Sequence, residues 1–520
     1  MAALLAALVA CNKEPQQVTP EDVDGKVYMQ FSVNMLTTRS GTDGDVEYPS
    51  DATPDYEVGK DRENTISSVD IVLAPVDGMS PSVVAENVQI SNASLEGDVK
   101  KTYVASFKNN LLKAGAEYYV YVYANCVAPV AQGVHNVDAT SKEAIGNMTK
   151  DHNFWMTNAY SVRNSKVTLP QDMSLYTQPQ NPFNLREHYV ERAMARFDYK
   201  AINNNVYTLG EGVTVTLTEA ALINQSKEFY MLRRTSMTGL ADNTLEIGGA
   251  ELKNNYVVDT DCEAKKDGYQ TADAANFDYH MTLGAAGWNW VSLAGKEDDN
   301  WTGAGEDTES GDHAGNYRIW QYAKENTIPS PESNQQNGIS TGVVFKGQIA
   351  ATNADITAAM TAKETIYVFE NVLYGNWASV EEAALADDAK ATLVAAYNKV
   401  VAAGENKTNQ TYAQAGFTGY TPDSEGNYYT YYYYWNRHND NLDNKVMDNM
   451  EFAVVRNNVY KLCVDKIAKF GHPTPPGPDD PAPIDPDPVD PVDPDEELNY
   501  YFTVTVKVLP WVVRVNHIEF

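Results

Sequence analysis

Two positions near the N-terminus of this sequence carry its reactive chemistry. Cys11 follows Leu8-Val9-Ala10 at the end of the apolar run Ala2 to Ala10 and precedes the polar stretch Asn12-Lys13-Glu14-Pro15. An apolar run, small residues and then a cysteine make up the processing signal of a bacterial lipoprotein. In that reading the thiol receives diacylglycerol and Cys11 becomes the mature N-terminus. The run is too short to span a bilayer as a helix. It lacks a basic stretch ahead of it, which fits a mis-assigned start codon; an ordinary buried segment is the competing reading. The second position is Arg39-Ser40, set in the polar segment Thr37-Thr38-Arg39-Ser40-Gly41. It offers a single basic residue to a trypsin-like protease, with Arg62 and Arg163 as rival sites.

Other chemistry is thinly represented. His438 and Asp440 are close enough in sequence for acid–base work, but a hydrogen-bonded turn explains them more simply. The sequence has no Gly-rich phosphate loop, zinc-ligand spacing or nucleophile elbow. No enzyme activity, metal or cofactor is therefore expected. Trp288, Trp290, Trp301 and Trp320, with the tyrosines of 428–434, are candidates for stacking on sugars. Packed strand aromatics are the alternative reading for the tyrosines. A surface-anchored glycan-binding lipoprotein or tip adhesin is thus one functional class to weigh. A host or bacterial surface receptor is the partner it would imply.

The elements that position the two reactive sites are strands. Lys26 to Leu36 alternates, with Val27, Met29, Phe31, Val33 and Met35 on one face and Tyr28, Gln30, Ser32 and Asn34 on the other. Period 2 over that length predicts a half-buried strand between the lipidation signal and the cleavage site. The order is anchor, strand, cut.

Composition points the same way. The 520 residues exceed a typical single core and predict two domains or more. A net charge of −32, from 71 acidic and 39 basic residues, argues against nucleic acid and anionic membranes as partners. Membrane attachment then has to come through lipid, for which several acyl chains suffice and one does not. Cys126, Cys262 and Cys463 are too scattered for a disulfide framework. Abundant Tyr, Val, Thr, Gly and Pro favour pleated surfaces joined by turns.

Along the chain, strands are predicted at 66–76, 103–107, 118–125, 165–169 and 192–200, giving an N-terminal β domain over 40–195. A C-terminal β domain over 196–472 carries strands at 213–218, 220–223, 365–369 and 450–455. The polar, Trp-bearing stretch 259–336 reads as an insertion of long loops. The single helical exception is 380–403, where Ser379 and Glu382 suggest a capping box, Leu385, Ala389, Leu393, Ala396 and Val400 recur at helical steps, and Gly404 supplies a stop. Residues 473–497 are rich in Pro and Asp and form an extended, solvated linker. The tail 498–520 returns to strand chemistry. Phe502, Val504, Val506 and Val508 alternate up to Pro510; Trp511, Val513 and Val515 follow, then Ile518 and Phe520 after a phase slip at Asn516-His517. Strand formers on an acidic arm invite pairing with another chain.

The segment Tyr431 to Asp440 leading into Met450 to Leu462, with Arg456-Asn457-Asn458 as its most specific part, resembles the C-terminal domain of the Bacteroidetes fimbrillins, the major and minor fimbrium subunits of type V pili. Looser likenesses lie at Leu112–Asn125, Phe154-Trp155-Met156-Thr157, Val190–Arg196 and Leu509–Val513. The resemblance implies a mainly β fold of two sandwich-like (transthyretin-like) domains in tandem. It also implies a lipoprotein precursor (signal 1–11, propeptide 12–39) attached transiently to the outer membrane and cut by a trypsin-like protease at Arg39-Ser40. The first strand would leave with the propeptide, and the groove would accept the tail of an adjoining subunit, with Trp511, Val513, Val515, Ile518 and Phe520 as donor residues. The implied partners are other fimbrial subunits, in a head-to-tail polymer at the cell surface.

Overall fold

In the computed structural model of the protein, the residues described are 25–35, 57–92, 100–130, 140–141, 143–150, 153–210, 212–248, 255–266, 277–278, 288–294, 301–302, 317–330, 339–405, 407–438, 450–475 and 502–512. The fold is mainly β, built around two large cores. The N-terminal strands are β1 (Lys26–Met35), then β2 (Glu57–Val58), β3 (Val69–Pro75), β4 (Val83–Val84), β5 (Asn87–Asn92), β6 (Lys100–Lys108), β7 (Glu117–Ala124), β8 (Met156–Asn158) and β9 (Phe183–Arg192). All but β2 join one nine-stranded sheet in the order β4-β3-β7-β8-β9-β1-β6-β5, with Val167–Thr168 beside β7.

This sheet closes on itself. Its terminal strands β4 and β5 are consecutive in the chain, and the residues between them stitch its ends together. Ala85 N–H donates to Ile71 O at 3.0 Å, and Glu86 N–H donates to Ser106 O at 2.8 Å. The inward faces of β1, β3, β6 and β7 then pack as a single core.

The C-terminal half is a sandwich of two sheets. Its strands are β10 (Ala195–Lys200), β11 (Val206–Gly210), β12 (Val213–Ile223), β13 (Tyr317–Ala323), β14 (Gly342–Ala351), β15 (Tyr429–Trp435), β16 (Asn458–Ile467) and β17 (Phe502–Val512). One sheet runs β2-β17-β16-β10-β13, ending on Trp301–Thr302; the other runs β11-β12-β14-β15. Phe197, Tyr460 and Leu462 from the first meet Val215, Leu217 and Phe345 from the second in a shared core. Met194 lies in the first large core and Ala195 in the second, and Phe229, Met231, Leu232 and Val459 also join the first.

Several expectations need correction. The predicted strands at 213–218 and 220–223 are one strand, β12, with a register shift between Leu217 and Glu219. In the stretch 450–455, residues 450–452 are turn and Val454 makes an isolated antiparallel bridge to Asn326; the strand begins only at Asn458. The loop insertion expected over 259–336 contains β13, hydrogen-bonded along β10 from Ala195↔Ala323 to Tyr199↔Arg318. The helix expected over 380–403 is two helices. After the short α1 (Asp61–Asn64), they belong to a helical layer comprising α2 (Ala354–Thr361), α3 (Trp377–Leu385), α4 (Ala391–Val401) and α5 (Asn409–Gln414), next to the small strands Ile366–Phe369, Val372–Tyr374 and Thr418–Tyr420. The N-cap of α3 is Asn376, whose Oδ1 accepts from Ser379 N–H and hydroxyl at 3.0 and 3.1 Å, so Ser379 is not itself the cap. Leu385 is 68% exposed. The chain turns at Ala386–Ala389, where Asp387 and Asp388 are poor helix formers, and α4 folds back. Val380 and Ala384 then share a core with Leu393, Ala396 and Val400.

Candidate functional site: the first strand and the domain junction

β1 lies inside the N-terminal sheet, with both edges occupied. It pairs antiparallel with β6 from Lys26↔Lys108 to Asn34↔Lys100. On its other side it pairs parallel with β9 from Met29↔Phe183 to Met35↔Val190, with a shift between Gln30 and Ser32. The alternation seen in sequence becomes the pleat: Val27, Met29, Phe31, Val33 and Met35 are each at most 1% exposed. Phe31 stacks on Tyr103 with centroids 5.5 Å apart and planes 19° apart. Burial raises the Tyr103 hydroxyl well above its usual pKa.

The opposite face is polar and half-exposed. Ser32 Oγ and Thr102 Oγ1 are 3.0 Å apart, Asn34 Nδ2 donates to Glu187 Oε1 at 3.1 Å, and Lys26 pairs with Glu86 at 3.6 Å. His188, opposite Val33 on β9, is buried and lies 3.0 Å from Leu185 O through Nε2. Desolvation lowers its pKa to about 4, outweighing that hydrogen bond and nearby Glu187. Cys11, Arg39 and Ser40 lie outside the described residues, as do Val513, Val515, Ile518 and Phe520.

Trp511, expected among the donor residues, lies in β17. The two apolar runs of the tail are not broken at Pro510: β17 runs through it, antiparallel to β16, from Ile467↔Phe502 to Asn458↔Pro510. Glu57↔Trp511 and Val58↔Val512 then pair β17 with β2 on its far edge. This part of the tail thus lies in a sheet of its own molecule.

The family-like motif sits at the junction of the two halves. Asn457 adopts φ 57°, a left-handed conformation that asparagine tolerates, and its N–H donates to Met194 O at 2.9 Å. Its side-chain oxygen accepts from Arg192 Nη1 at 3.2 Å. Arg456 donates to Met231 O at 2.8 Å and pairs with Glu325 at 2.7 Å. Asn458 Nδ2 donates to Arg456 O at 3.0 Å. The sequence reading missed Glu63, in the short helical turn Asp61–Asn64. Its carboxylate accepts from Arg196 Nη1 at 2.9 Å, Tyr322 OH at 2.6 Å and Lys60 N–H at 2.6 Å. Its backbone oxygen accepts from Arg192 Nε at 3.0 Å, and Asn64 Oδ1 accepts from Arg192 Nη2. Arg196 also meets Asp198 bidentately, at 2.8 Å on each oxygen. Glu63, Arg192, Arg196, Asp198 and Arg456 are all fully buried; Arg196 and Arg456 are paired with carboxylates, while Arg192 donates to neutral oxygens.

The proposed stacking tryptophans do not form one surface. Trp320 is in the core between the two C-terminal sheets, which removes it from a solvent-facing site. Trp301 pairs through its backbone with Arg318. Trp288 and Trp290 do stack, with centroids 5.1 Å and planes 12° apart, and Tyr431 lies 5.8 Å from Trp290. His438 Nδ1 is 2.8 Å from Tyr460 OH in a buried contact. Among the described residues no cluster of ligating side chains could hold a metal ion, and no helix is long and apolar enough to cross a membrane.

Residues 426–517 match the family described as Major fimbrial subunit protein type IV, Fimbrillin, C-terminal, a span that contains β15, Arg456-Asn457-Asn458, β16 and β17. Among solved structures the chain is similar to a fimbrilin (fimA) from Porphyromonas gingivalis W83, at 13% identity and a TM-score of 0.36, covering 94% of this chain and 99% of that one. A candidate cell adhesion protein from Parabacteroides distasonis ATCC 8503 aligns at 14% identity and a TM-score of 0.36, with 94% and 99% covered. Another, from Bacteroides eggerthii DSM 20697, aligns at 10% identity and 0.32, with 94% and 97% covered. No curated protein sequence matches the chain. Residues 426–517 are thus similar to the C-terminal domain of the fimbrillins.

Proposed function

We propose that this protein is a structural subunit exported as a lipoprotein on Cys11, matured by a trypsin-like cut at Arg39-Ser40, and polymerised when the slot left by β1 receives the tail of another copy. One observation carries the reading: β1 is internal to its sheet, yet every other described strand follows it in the chain. A single cut between Met35 and Glu57 therefore separates an interior strand from the rest of the described fold. The rival basic sites are worse substrates, because Arg62 sits in a helical turn beside buried Glu63 and Asn64, and Arg163 sits in a 3-10 turn.

The energetics make the cut necessary. Five buried apolar side chains contribute on the order of 8–15 kcal/mol gross, at about 1.5–3 kcal/mol each. While β1 is tethered it needs no encounter to refill its slot, so a strand from another copy cannot compete. Proteolysis removes that advantage, and strand addition then supplies main-chain hydrogen bonds and side-chain pockets to the newcomer. A head-to-tail contact of this kind does not close and gives a filament. Arg39→Ala is expected to leave lipidated, unpolymerised precursor; fibres of normal length from that variant would exclude this cut site. A second reading, a glycan-binding surface lipoprotein, retains the stacked, half-buried pair Trp288 and Trp290 in its favour. Sugar binding by the monomer on a glycan array, lost in Trp288→Ala, would favour it.

A further inference from the structure

Residues 57–64 touch both places where assembly would act. At one end, Glu57 and Val58 pair with Trp511 and Val512, the last described residues of the tail strand. At the other end, Glu63 and Asn64 bind Arg192, which terminates β9, the strand paired with β1. Glu63 also binds Arg196, which belongs to β10, and β10 pairs with β16, the support of β17. Asn64 Nδ2 donates back to Gly59 O at 2.9 Å, which folds the segment onto itself. This short stretch follows the Arg39 region in the chain, so it stays with the body after a cut there.

We propose that residues 57–64 are a staple that holds β17 in its own subunit during and after assembly, so that the segment given to a neighbouring copy begins only beyond Val512. The inference rests on the donor-strand reading and adds to it a division of the tail. Phe502–Val512 is a fixed base, hydrogen-bonded to β16 on one side and capped by β2 on the other. Residues 513–520 are the part that a second copy receives. Two features favour a fixed base. β16 pairs with β17 over nearly its whole length, so lifting β17 would expose a long ladder edge. The staple is also held by the buried Glu63 carboxylate on Arg196 and by buried Arg192 on Glu63 O and Asn64 Oδ1, an arrangement that is costly to open. Trp511 accordingly belongs to the base rather than to the donated segment.

The register supplies a direct test. Cys463, a free buried cysteine, is the Cα partner of Thr505 in the β16–β17 pair. Directly opposed antiparallel positions lie within the Cα separation a disulfide needs. Thr505→Cys, oxidised in the purified full-length precursor, should lock β17 to β16. After treatment with a trypsin-like protease the locked protein is expected to polymerise to within twofold of the unsubstituted chain. Failure to polymerise, restored by dithiothreitol, would show that β17 must leave and would overturn the proposal. Deleting 513–520 in parallel separates the two ideas: polymerisation that survives this deletion sinks the donor-strand reading itself. For the staple, Glu63→Gln and, independently of the buried pair, Val58→Pro are each expected to speed amide exchange at Trp511 and Val512 at least tenfold in the matured monomer. Unchanged exchange in the Val58→Pro variant would remove the staple from the argument.

Discussion

β1 and β17, the first and last described strands, both alternate apolar residues with others, but they are held in opposite ways. β1 has a strand on each side along most of its length and a buried side chain at every second position. β17 has a full partner on one side and, among the described residues, the two residues of β2 on the other. Strands of similar alternation can therefore take opposite parts. A doubly paired strand leaves an enclosed slot when removed, whereas a singly paired one can carry a tail outward without opening the body.

Three measurements probe how differently the two strands are held. The largest effect is expected from Phe31→Ala, which empties the middle of the slot beside Tyr103. It should destabilise the uncut precursor by about 3–5 kcal/mol in a denaturant titration and leave the β16–β17 half unaffected. An effect below about 1 kcal/mol would mean that β1 is not the packed strand described here.

The next concerns acid. His188 is held near pKa 4 when folded, against about 6.5 for a free imidazole. Between those values the unfolded chain binds a proton that the folded one does not, so stability falls as pH drops from about 6.5 to about 4 and levels off below. The full span corresponds to about 3 kcal/mol. His188→Asn should flatten that part of the profile, while the C-terminal half keeps its own. A profile unchanged by the substitution would show that His188 is not buried against β1 in solution.

The smallest effect is expected from Lys26→Ala. Its ion pair with Glu86 is largely exposed, and its loss should shift stability by no more than about 0.5 kcal/mol. A larger loss would show that the grip on β1 is ionic as well as apolar.

β1 was legible in sequence because one of its faces meets the core and the other meets water, which writes the pleat directly into residue order. The same rule hid β13 and β14. β13 lies within a polar stretch that reads as loop, and β14 carries Lys346 and Gln348 among its apolar residues; both take their identity from neighbouring strands distant in sequence. The helix of 380–403 was over-extended because Leu385 and Ala389 fall by coincidence on the step that joins α3 to α4, and periodicity cannot see a turn that preserves phase. At the junction, the likeness around Val190–Arg196 and Arg456–Asn458 marked residues that do meet in space. Their partner Glu63 gave no signal, because a lone acidic residue in a polar stretch is ordinarily solvated and only the fold supplies two arginines to bury it. The stacking set failed at Trp320 for a related reason: aromatic residues signal burial and sugar contact alike.

The seam at Ala85–Glu86 has a mechanical consequence. Because it joins the ends of the N-terminal sheet, β6 and β9 remain linked around the far side of the barrel when β1 departs. The opening is then a keyway of nearly set width, about two strand spacings or roughly 10 Å from lip to lip. Such an aperture is wide enough for one extended chain and too narrow for a hairpin, so the ring geometry itself would count strands, admitting a single one per subunit.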